Sequence, residues 1–210
     1  MANLRDIQRR ISSVKSTQKI TSAMKMVSAA KLRRAQQAVE SARPYATHMR
    51  ATLEAVTAGE VDAENPLLVA RAEVKKLGVV VVTSDRGLAG AFNNQVIKRA
   101  EALVAERERD GQVADLYLLG RKACDFFKRR RAEQIVLPEH VGKRITYPQA
   151  AAVARQLAAA FEQREIDEAI IVFNEFVTTM LQRPSVQPLL PNLLMMCAAR
   201  LELIVSPLRP

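Results

Sequence analysis

The first 58 residues place apolar side chains at steps of three and four positions, the spacing of one face of a helix. Glycine is absent from this segment, which favours an uninterrupted helix over loops. Asn3 is a candidate N-cap, Pro44 is expected to bend or interrupt the helix, and Gly59 ends it. The apolar positions are Leu4, Ile7, Ile11, Val14, Ile20, Met24, Val27, Ala35, Ala38, Ala42, Tyr45, Met49, Leu53 and Val56. Such a narrow stripe predicts a long helix that packs against another helix, as in a coiled coil.

From residue 74 onward, short apolar runs alternate with helical patterns. The β-branched run at 77–83 predicts a buried strand. Helices are predicted at 89–109, 121–131 and from 148 to about 164, and further strands at 113–119, 134–137, 169–177 and, as an extended stretch, 180–190. The alternation predicts an open, doubly wound (Rossmann-like) α/β domain at 74–191. This domain follows the long N-terminal helix of coiled-coil type at 1–58 and precedes a tail at 192–210.

The formal charge of +10 is concentrated near the amino terminus. Residues 1–50 carry eleven Lys or Arg and two acidic residues, a net charge of +9. A strongly basic helix fits an acidic partner such as nucleic acid, anionic lipid or a carboxylate-rich protein, although charge alone fits a solvated face equally well. Tryptophan is absent and aromatic residues make up only 4% of the chain, which argues against a stacking surface for single-stranded nucleic acid.

The sequence carries no motif for nucleotide phosphates, since neither GxxxxGK[ST] nor GxGxxG occurs. The turn at 84–90 contains Gly87 and Gly90 before a helix and could bind an anion, but a tight turn with close helix packing explains these glycines better. The adjacent Asp85 and Arg86 within it are interpreted as a local ion pair or a cap. His48 and His140 lie on different elements without a partner pattern for a metal or a base. The sequence therefore predicts no catalytic residue, no metal site and no cofactor.

The cysteines and the apolar runs bear on the compartment. Cys124 and Cys197 have no metal-ligand spacing, so free thiols in a reducing compartment are expected. The longest apolar runs, 77–83 and 193–199, are far too short to span a bilayer. Basic residues recur where a signal peptide would need an apolar core. These features predict a soluble or peripheral protein.

Two segments carry a specific resemblance: residues 7–37 (IQRRISSVKSTQKITSAMKMVSAAKLRRAQQ) and residues 84–93 (SDRGLAGAFN). The first looks like the N-terminal helix of ATP synthase gamma subunits. The second resembles the SDRGLCGxFN motif of that family, with Ala89 where cysteine is frequent. The motif positions here are Ser84, Asp85, Arg86, Gly87, Gly90, Phe92 and Asn93. Weaker similarities lie at 120–122, 126–127, 173–176 and 187–191, so that the resemblance covers residues 2–191 in order.

The resemblance implies a non-catalytic central-stalk subunit of the F-type proton-translocating ATP synthase. The implied partners are the alpha and beta subunits, the epsilon subunit and the ring of membrane c subunits, with no nucleic acid and no cofactor. The implied location is the cytoplasmic side of the inner (plasma) membrane of a bacterium, as a peripheral protein held by the complex. By the same resemblance, the residues of the shaft that contact the ring are Lys19, Met24, Lys25, Lys31, Arg33 and Arg34.

The tail at 192–210 departs from the family pattern. Gamma subunits continue past the position of Pro191 into a long polar helix, which residues 192–210 do not resemble. We therefore expect the antiparallel partner of the first helix to be absent, which leaves a truncated, non-functional or repurposed gamma-like protein as the alternative. Two further hypotheses are a basic-helix nucleic-acid-binding protein, whose binding would fall steeply with salt, and a nucleotide-dependent enzyme, which would bind nucleotide saturably.

Overall fold

The computed structural model describes residues 4–58, 66–67, 69–87, 89–142, 147–178 and 181–191. The predicted N-cap Asn3, the predicted helix end at Gly59 and the tail at 192–210 lie outside the described residues.

The chain begins with one long helix, α1, at Leu4–Ala58, which contains 55 residues and measures about 80 Å at a rise of 1.5 Å per residue. It continues through Pro44, so the interruption allowed for at this position does not occur. Proline removes one backbone hydrogen bond, and the helical pattern on both sides outweighs that loss. The predicted long first helix is present over its whole described range.

The remaining elements form a five-stranded sheet in the order β3-β2-β1-β4-β5. Strands β1 to β4 are parallel, and β5 runs antiparallel to β4. In chain order the elements are β1 (Lys76–Val82), α2 (Phe92–Arg109), β2 (Val113–Leu119), α3 (Arg121–Phe127), a 3₁₀ turn (Ala132–Gln134), β3 (Ile135–Glu139), α4 (Tyr147–Glu162), β4 (Glu168–Phe176) and β5 (Gln182–Leu190). The predicted doubly wound α/β fold is confirmed, with an antiparallel strand at one edge.

Helices cover both faces of the sheet, and the central strand β1 divides its side chains between two cores. Leu77, Val79 and Val81 pack against α2 and α3, whereas Val80 and Val82 pack on the side of α4. All five are fully buried. Burial on both faces explains why the strand reads as a continuous apolar run rather than an alternating one. Each buried valine stabilises the fold by about 1.5–3 kcal/mol relative to an exposed one.

The antiparallel edge strand β5 carries Pro184 and Pro188, which pair with Asn174 and Ile170 of β4. Proline has no backbone N–H to offer to another strand, so it is tolerated at a sheet edge and protects that edge from pairing with a second chain. The predicted extended stretch at 180–190 is therefore an edge strand of the same sheet.

A buried ion pair lies at the amino-terminal end of the central strands β1 and β4. Arg71 Nη1 lies 2.6 Å from Asp167 Oδ1, and both side chains are largely buried. Burial alone would raise the pKa of Asp167, but hydrogen bonds from Arg71 and from the amides of Lys76 and Lys75 outweigh it and hold that pKa below its ordinary value. Asp167 therefore joins the segment before β1 to the start of β4, and it does so most strongly as the ionised carboxylate.

Asp167→Asn is expected to destabilise the domain most at neutral pH. A carboxyl group whose pKa is lower in the folded state stabilises the fold at any pH above its unfolded-state pKa, which is about 3.9. This contribution is lost as the pH falls through the folded-state pKa. Urea unfolding of both proteins from pH 7 to pH 3 should show the difference in unfolding free energy shrinking below about pH 4. A difference that does not change with pH would mean that the charge of Asp167 contributes nothing.

Candidate functional site: the exposed helix and the carboxyl edge of the sheet

The amino-terminal part of α1, residues 4–34, is exposed along its whole length. Exposed apolar side chains are normal singly, but here they recur, with Ile7 45%, Val14 67% and Met24 65% exposed. All six shaft residues predicted to contact a ring lie on this part of the helix and are exposed: Lys19, Met24, Lys25, Lys31, Arg33 and Arg34. A helix with this much uncovered apolar surface is built to be covered by another molecule or segment.

Basic side chains surround the exposed part of α1 instead of forming one stripe. Residues 4–34 contain nine Lys or Arg and one acid, Asp6. At 3.6 residues per turn, Met24 and Lys31 lie on one side of the helix, whereas Lys25 lies on another. The predicted contact residues are therefore not gathered into a single patch but distributed around the helix.

Residues 35–49 of α1 pack against the rest of the protein along one side. Ala35 and Val39 are buried, and Ala42, Ala46 and Met49 are half-buried, which continues the same three-and-four spacing. Arg43 Nη2 donates a hydrogen bond to the carbonyl oxygen of Phe176 at 3.3 Å. The helix thus passes the carboxyl edge of the sheet, where the parallel strands end.

The exposed apolar residues near the start of α1 lie on the same side of the helix as the buried residues further along it. Ile7 and Val14 differ from Ala35 and Met49 by multiples of seven, and Ile11 is related to Val39 in the same way. A seven-residue repeat drifts by about 20° per heptad in a straight helix, so a seam of this length suits a partner that winds around α1.

The motif at 84–93 folds back on itself directly after β1. The amide of Ser84 donates to Asn93 Oδ1 at 2.9 Å, and the Ser84 hydroxyl donates to the carbonyl oxygen of Arg86 at 2.6 Å. Ser84 and Asn93 are both buried. Asn174 at the end of β4 donates from Nδ2 to the carbonyl oxygen of Phe92 at 2.8 Å. These bonds fix the first turn of α2 against the ends of β1 and β4.

Asp85 joins three loops at the carboxyl edge. Its Oδ1 accepts hydrogen bonds from the amide of Arg121 at 2.7 Å and that of Val141 at 3.3 Å, and its Oδ2 accepts from the amide of Gly142 at 2.5 Å. Arg121 is the first residue of α3, so Asp85 caps that helix from a distant loop. No ion pair between Asp85 and Arg86 occurs among the described residues.

The two motif glycines differ in their need for glycine. Gly90 has φ +56, in the left-handed region where glycine is favoured. A Cβ on Gly87 would lie 3.6 Å from Lys122 Cε, an ordinary contact. The turn at Gly90 therefore requires a left-handed backbone conformation, whereas among the described residues no close approach demands glycine at position 87.

Metal-ligand clusters, thiols and cavities are the features of the described carboxyl edge that bear on catalysis. Within the described ranges no cluster of His, Cys, Asp or Glu could hold a metal ion. Cys124 is buried, and that burial raises the pKa of its thiol, which makes it a poor nucleophile. A small cavity beside His140, lined by Leu119, Val141 and Val153, has a volume of about 20 Å³. This cavity has room for about one water molecule and none for a nucleotide.

Sequence reasoning missed several residues that organise the domain. Arg71 and Asp167 carried no pattern in the sequence, because their partners lie about ninety-five positions apart. Gly120 belonged only to a weak similarity, although a glycine between a strand and a helix is a recognisable signal for an unusual backbone conformation.

These features define a class of protein: a long, exposed, basic helix carried by a doubly wound α/β domain whose carboxyl edge is closed by its own hydrogen bonds. A family model described as ATP synthase matches residues 3–206, a range that includes part of the tail at 192–210. The ATP synthase gamma chain of Acidiphilium cryptum (strain JF-5) is 47% identical over 197 residues, which cover 91% of this chain and 66% of that protein. The corresponding chain of Desulforamulus reducens is 45% identical over 191 residues, with the same shares covered. The chain therefore belongs to the ATP synthase gamma family.

The relatives also set the scale of the resemblance. This chain spans about two thirds (66%) of the length of the relatives named above. A solved structure of the Tetrahymena thermophila mitochondrial ATP synthase central stalk and c ring contains a chain with the same fold, with a TM-score of 0.62 and 23% identity over 82% of this chain and 72% of that one. No helix in the described part of this chain is long and apolar enough to cross a membrane.

Proposed function

We propose that this chain is the non-catalytic central-stalk (gamma) subunit of an F-type proton-translocating ATP synthase. In this role it couples rotation of a membrane c ring to ATP synthesis or hydrolysis in a ring of alpha and beta subunits. The observation that carries the proposal is the exposed α1 segment at 4–34, which projects apolar and basic side chains without burying them. The names of the gamma-chain relatives support it.

The distribution of charge favours an enclosing partner over a flat one. Nine basic side chains lie around the exposed part of α1 with a single acid among them. A nucleic-acid surface or a membrane would use one side of the helix, whereas a ring lined with carboxylates would use all sides. Enclosure would also cover the exposed fractions of Ile7, Ile11 and Val14, which are 45%, 49% and 67%, so each would contribute roughly half of the 1.5–3 kcal/mol of a fully exposed side chain.

The α/β domain supplies the rigid base of the shaft in this proposal. Its proposed partners are the c ring and the epsilon subunit, and its proposed location is the cytoplasmic face of a bacterial inner membrane, held there by the complex. The solved central-stalk structure with the same fold contains a c ring, and the relatives named above are bacterial. The chain itself contributes position and stiffness, and the partners supply the chemistry.

Co-expression with the cognate alpha and beta subunits tests the proposal. A tagged form of this chain should capture both subunits, and the captured complex should hydrolyse ATP. Capture of neither subunit would contradict the proposed function and favour a repurposed gamma-like protein. Binding to nucleic acid with a steep salt dependence would favour the basic-helix alternative instead.

Charge reversal on the shaft is expected to weaken this capture. The double variant Lys25→Glu, Arg33→Glu should capture about tenfold less alpha and beta subunit than the unaltered chain. The physical reason is that like charges facing each other at an interface cost several kcal/mol. The matched control is Lys98→Glu, Arg99→Glu, which reverses two exposed charges on α2. Equal loss in both variants, measured by quantitative elution at fixed salt, would show that total charge and not the shaft decides binding.

A further inference from the structure

Arg71 fixes the described residues that directly precede β1, 69–75, to the α/β domain. Arg71 lies five residues before β1, and its Nη1 donates hydrogen bonds to the carbonyl oxygen of Ile166 at 3.0 Å and to Asp167 Oδ1 at 2.6 Å. Its Nη2 donates to the carbonyl oxygen of Phe161, and its guanidinium lies over the Phe161 ring, 4.4 Å from the centroid. Phe161 and Ile166 are fully buried. The segment is therefore fastened to the corner where α4 ends and β4 begins.

Asp167 extends the same fastening to the first residues of β1. Its Oδ2 accepts hydrogen bonds from the amides of Lys75 and Lys76, both at 2.9 Å. The Phe161 carbonyl lies in the last turn of α4, where it also accepts a hydrogen bond from the amide of Arg164 at 3.1 Å, and a cation at this end of a helix is favourable. One guanidinium and one carboxylate thus connect the entry of the central strand to two other elements.

This corner is well placed to carry load between α1 and the sheet. Within residues 4–49 of α1 the buried side chains are Ala35 and Val39, and Arg43 donates a hydrogen bond to the end of β4. Strand β1 lies between β2 and β4, so a pull on its first residue would disturb both neighbours. The contacts of Arg71 before the strand would transfer that force to the end of α4 and the start of β4 instead.

We propose that Arg71 is a positioning residue for force transfer, which holds the entry of β1 in place while α1 bears torque. This inference rests on the function proposed above. Arginine suits the position because its planar fork can serve three acceptors at once and stack on an aromatic ring, whereas lysine offers a single compact charge. Arg71→Lys keeps the charge and removes the fork.

The experiment uses the complex captured by this chain, assembled with the c ring in membrane vesicles. ATP hydrolysis and ATP-driven proton pumping are measured for the unaltered chain, Arg71→Lys and the control Lys75→Gln. Lys75 lies in the same segment, and its side chain pairs with that of Glu73, with 73% of each side chain exposed. Hydrogen exchange of the backbone amides at positions 75 and 76 in each chain reports directly whether Asp167 still holds them.

Arg71→Lys should leave capture and hydrolysis near the unaltered level but pump fewer protons per ATP, and the two amides should exchange at least about tenfold faster. Lys75→Gln should change none of these. Unaltered pumping per ATP in Arg71→Lys would overturn the inference, and so would loss of the chain from the complex, which indicates a role in folding alone. Failure of the unaltered chain to capture the alpha and beta subunits would instead refute the proposed function.

Discussion

Gly120→Ala is expected to lower the free energy of unfolding by roughly 3–5 kcal/mol, a large part of the stability of a domain of this size. Gly120 has φ +106, and a Cβ at this position would lie 2.1 Å from the carbonyl oxygen of Thr83. The backbone on both sides is held, because the Gly120 amide donates to the Glu139 carbonyl at 2.9 Å and the Thr83 amide donates to the Leu119 carbonyl at 2.7 Å. Urea unfolding followed by circular dichroism measures the loss.

Gly111→Ala is the matched control for this substitution. Gly111 also has a positive φ, +79, but a Cβ there would meet nothing within 4 Å. Its expected cost is only the conformational one, about 1–2 kcal/mol. Equal losses in the two variants would show that backbone conformation, and not the contact with Thr83, determines the requirement for glycine at position 120.

Asp85→Ala is expected to cost roughly 2–3 kcal/mol, because three backbone N–H groups lose a charged acceptor at once. The three amides belong to the start of α3 and to the loop after β3, so both should loosen together. Urea unfolding gives the global loss, and hydrogen exchange of the Arg121 and Gly142 amides gives the local one. The expected pattern is faster exchange at both amides and little change in β5.

Asp125→Ala is the control that separates this role from charge alone. Asp125 forms an ion pair with Arg121 at 3.6 Å, and the two side chains are 52% and 65% exposed. Exposed pairs of this kind contribute about 0–1 kcal/mol. A loss for Asp85→Ala as small as that for Asp125→Ala would mean that water replaces the carboxylate and that the loops do not depend on it.

For the motif at 84–93, the family resemblance and the structure supply different information. The resemblance identified the segment but gave no role to its residues. In the structure Ser84 and Asn93 shape the turn, and Asp85 holds α3 and the loop after β3. These bonds occupy the carboxyl edge, where doubly wound folds usually bind their ligands. The edge is therefore used to hold the domain together beside α1.

The sequence by itself determined the elements whose signal is local. The spacing of apolar residues predicted the long first helix, and the β-branched and apolar runs predicted the strands, with the predicted strand 113–119 matching β2 residue for residue. These features are readable because helix and strand periodicities involve neighbours a few positions apart. The predicted helix at 121–131 is shorter in the structure and ends at Phe127, where residues 128–130 form a turn.

Only the tertiary structure decided the contacts that join distant positions. It showed that α1 continues through Pro44, that β5 is antiparallel, and that Asp85 caps a helix thirty-six positions away. The pairing of Arg71 with Asp167, separated by ninety-six positions, is of the same kind. Each depends on which chain segments the packed sheet brings together, and residue spacing along one sequence carries no such information. The need of α1 for a packing partner could be predicted from the sequence, because the apolar stripe of a helix follows from the spacing of its own residues.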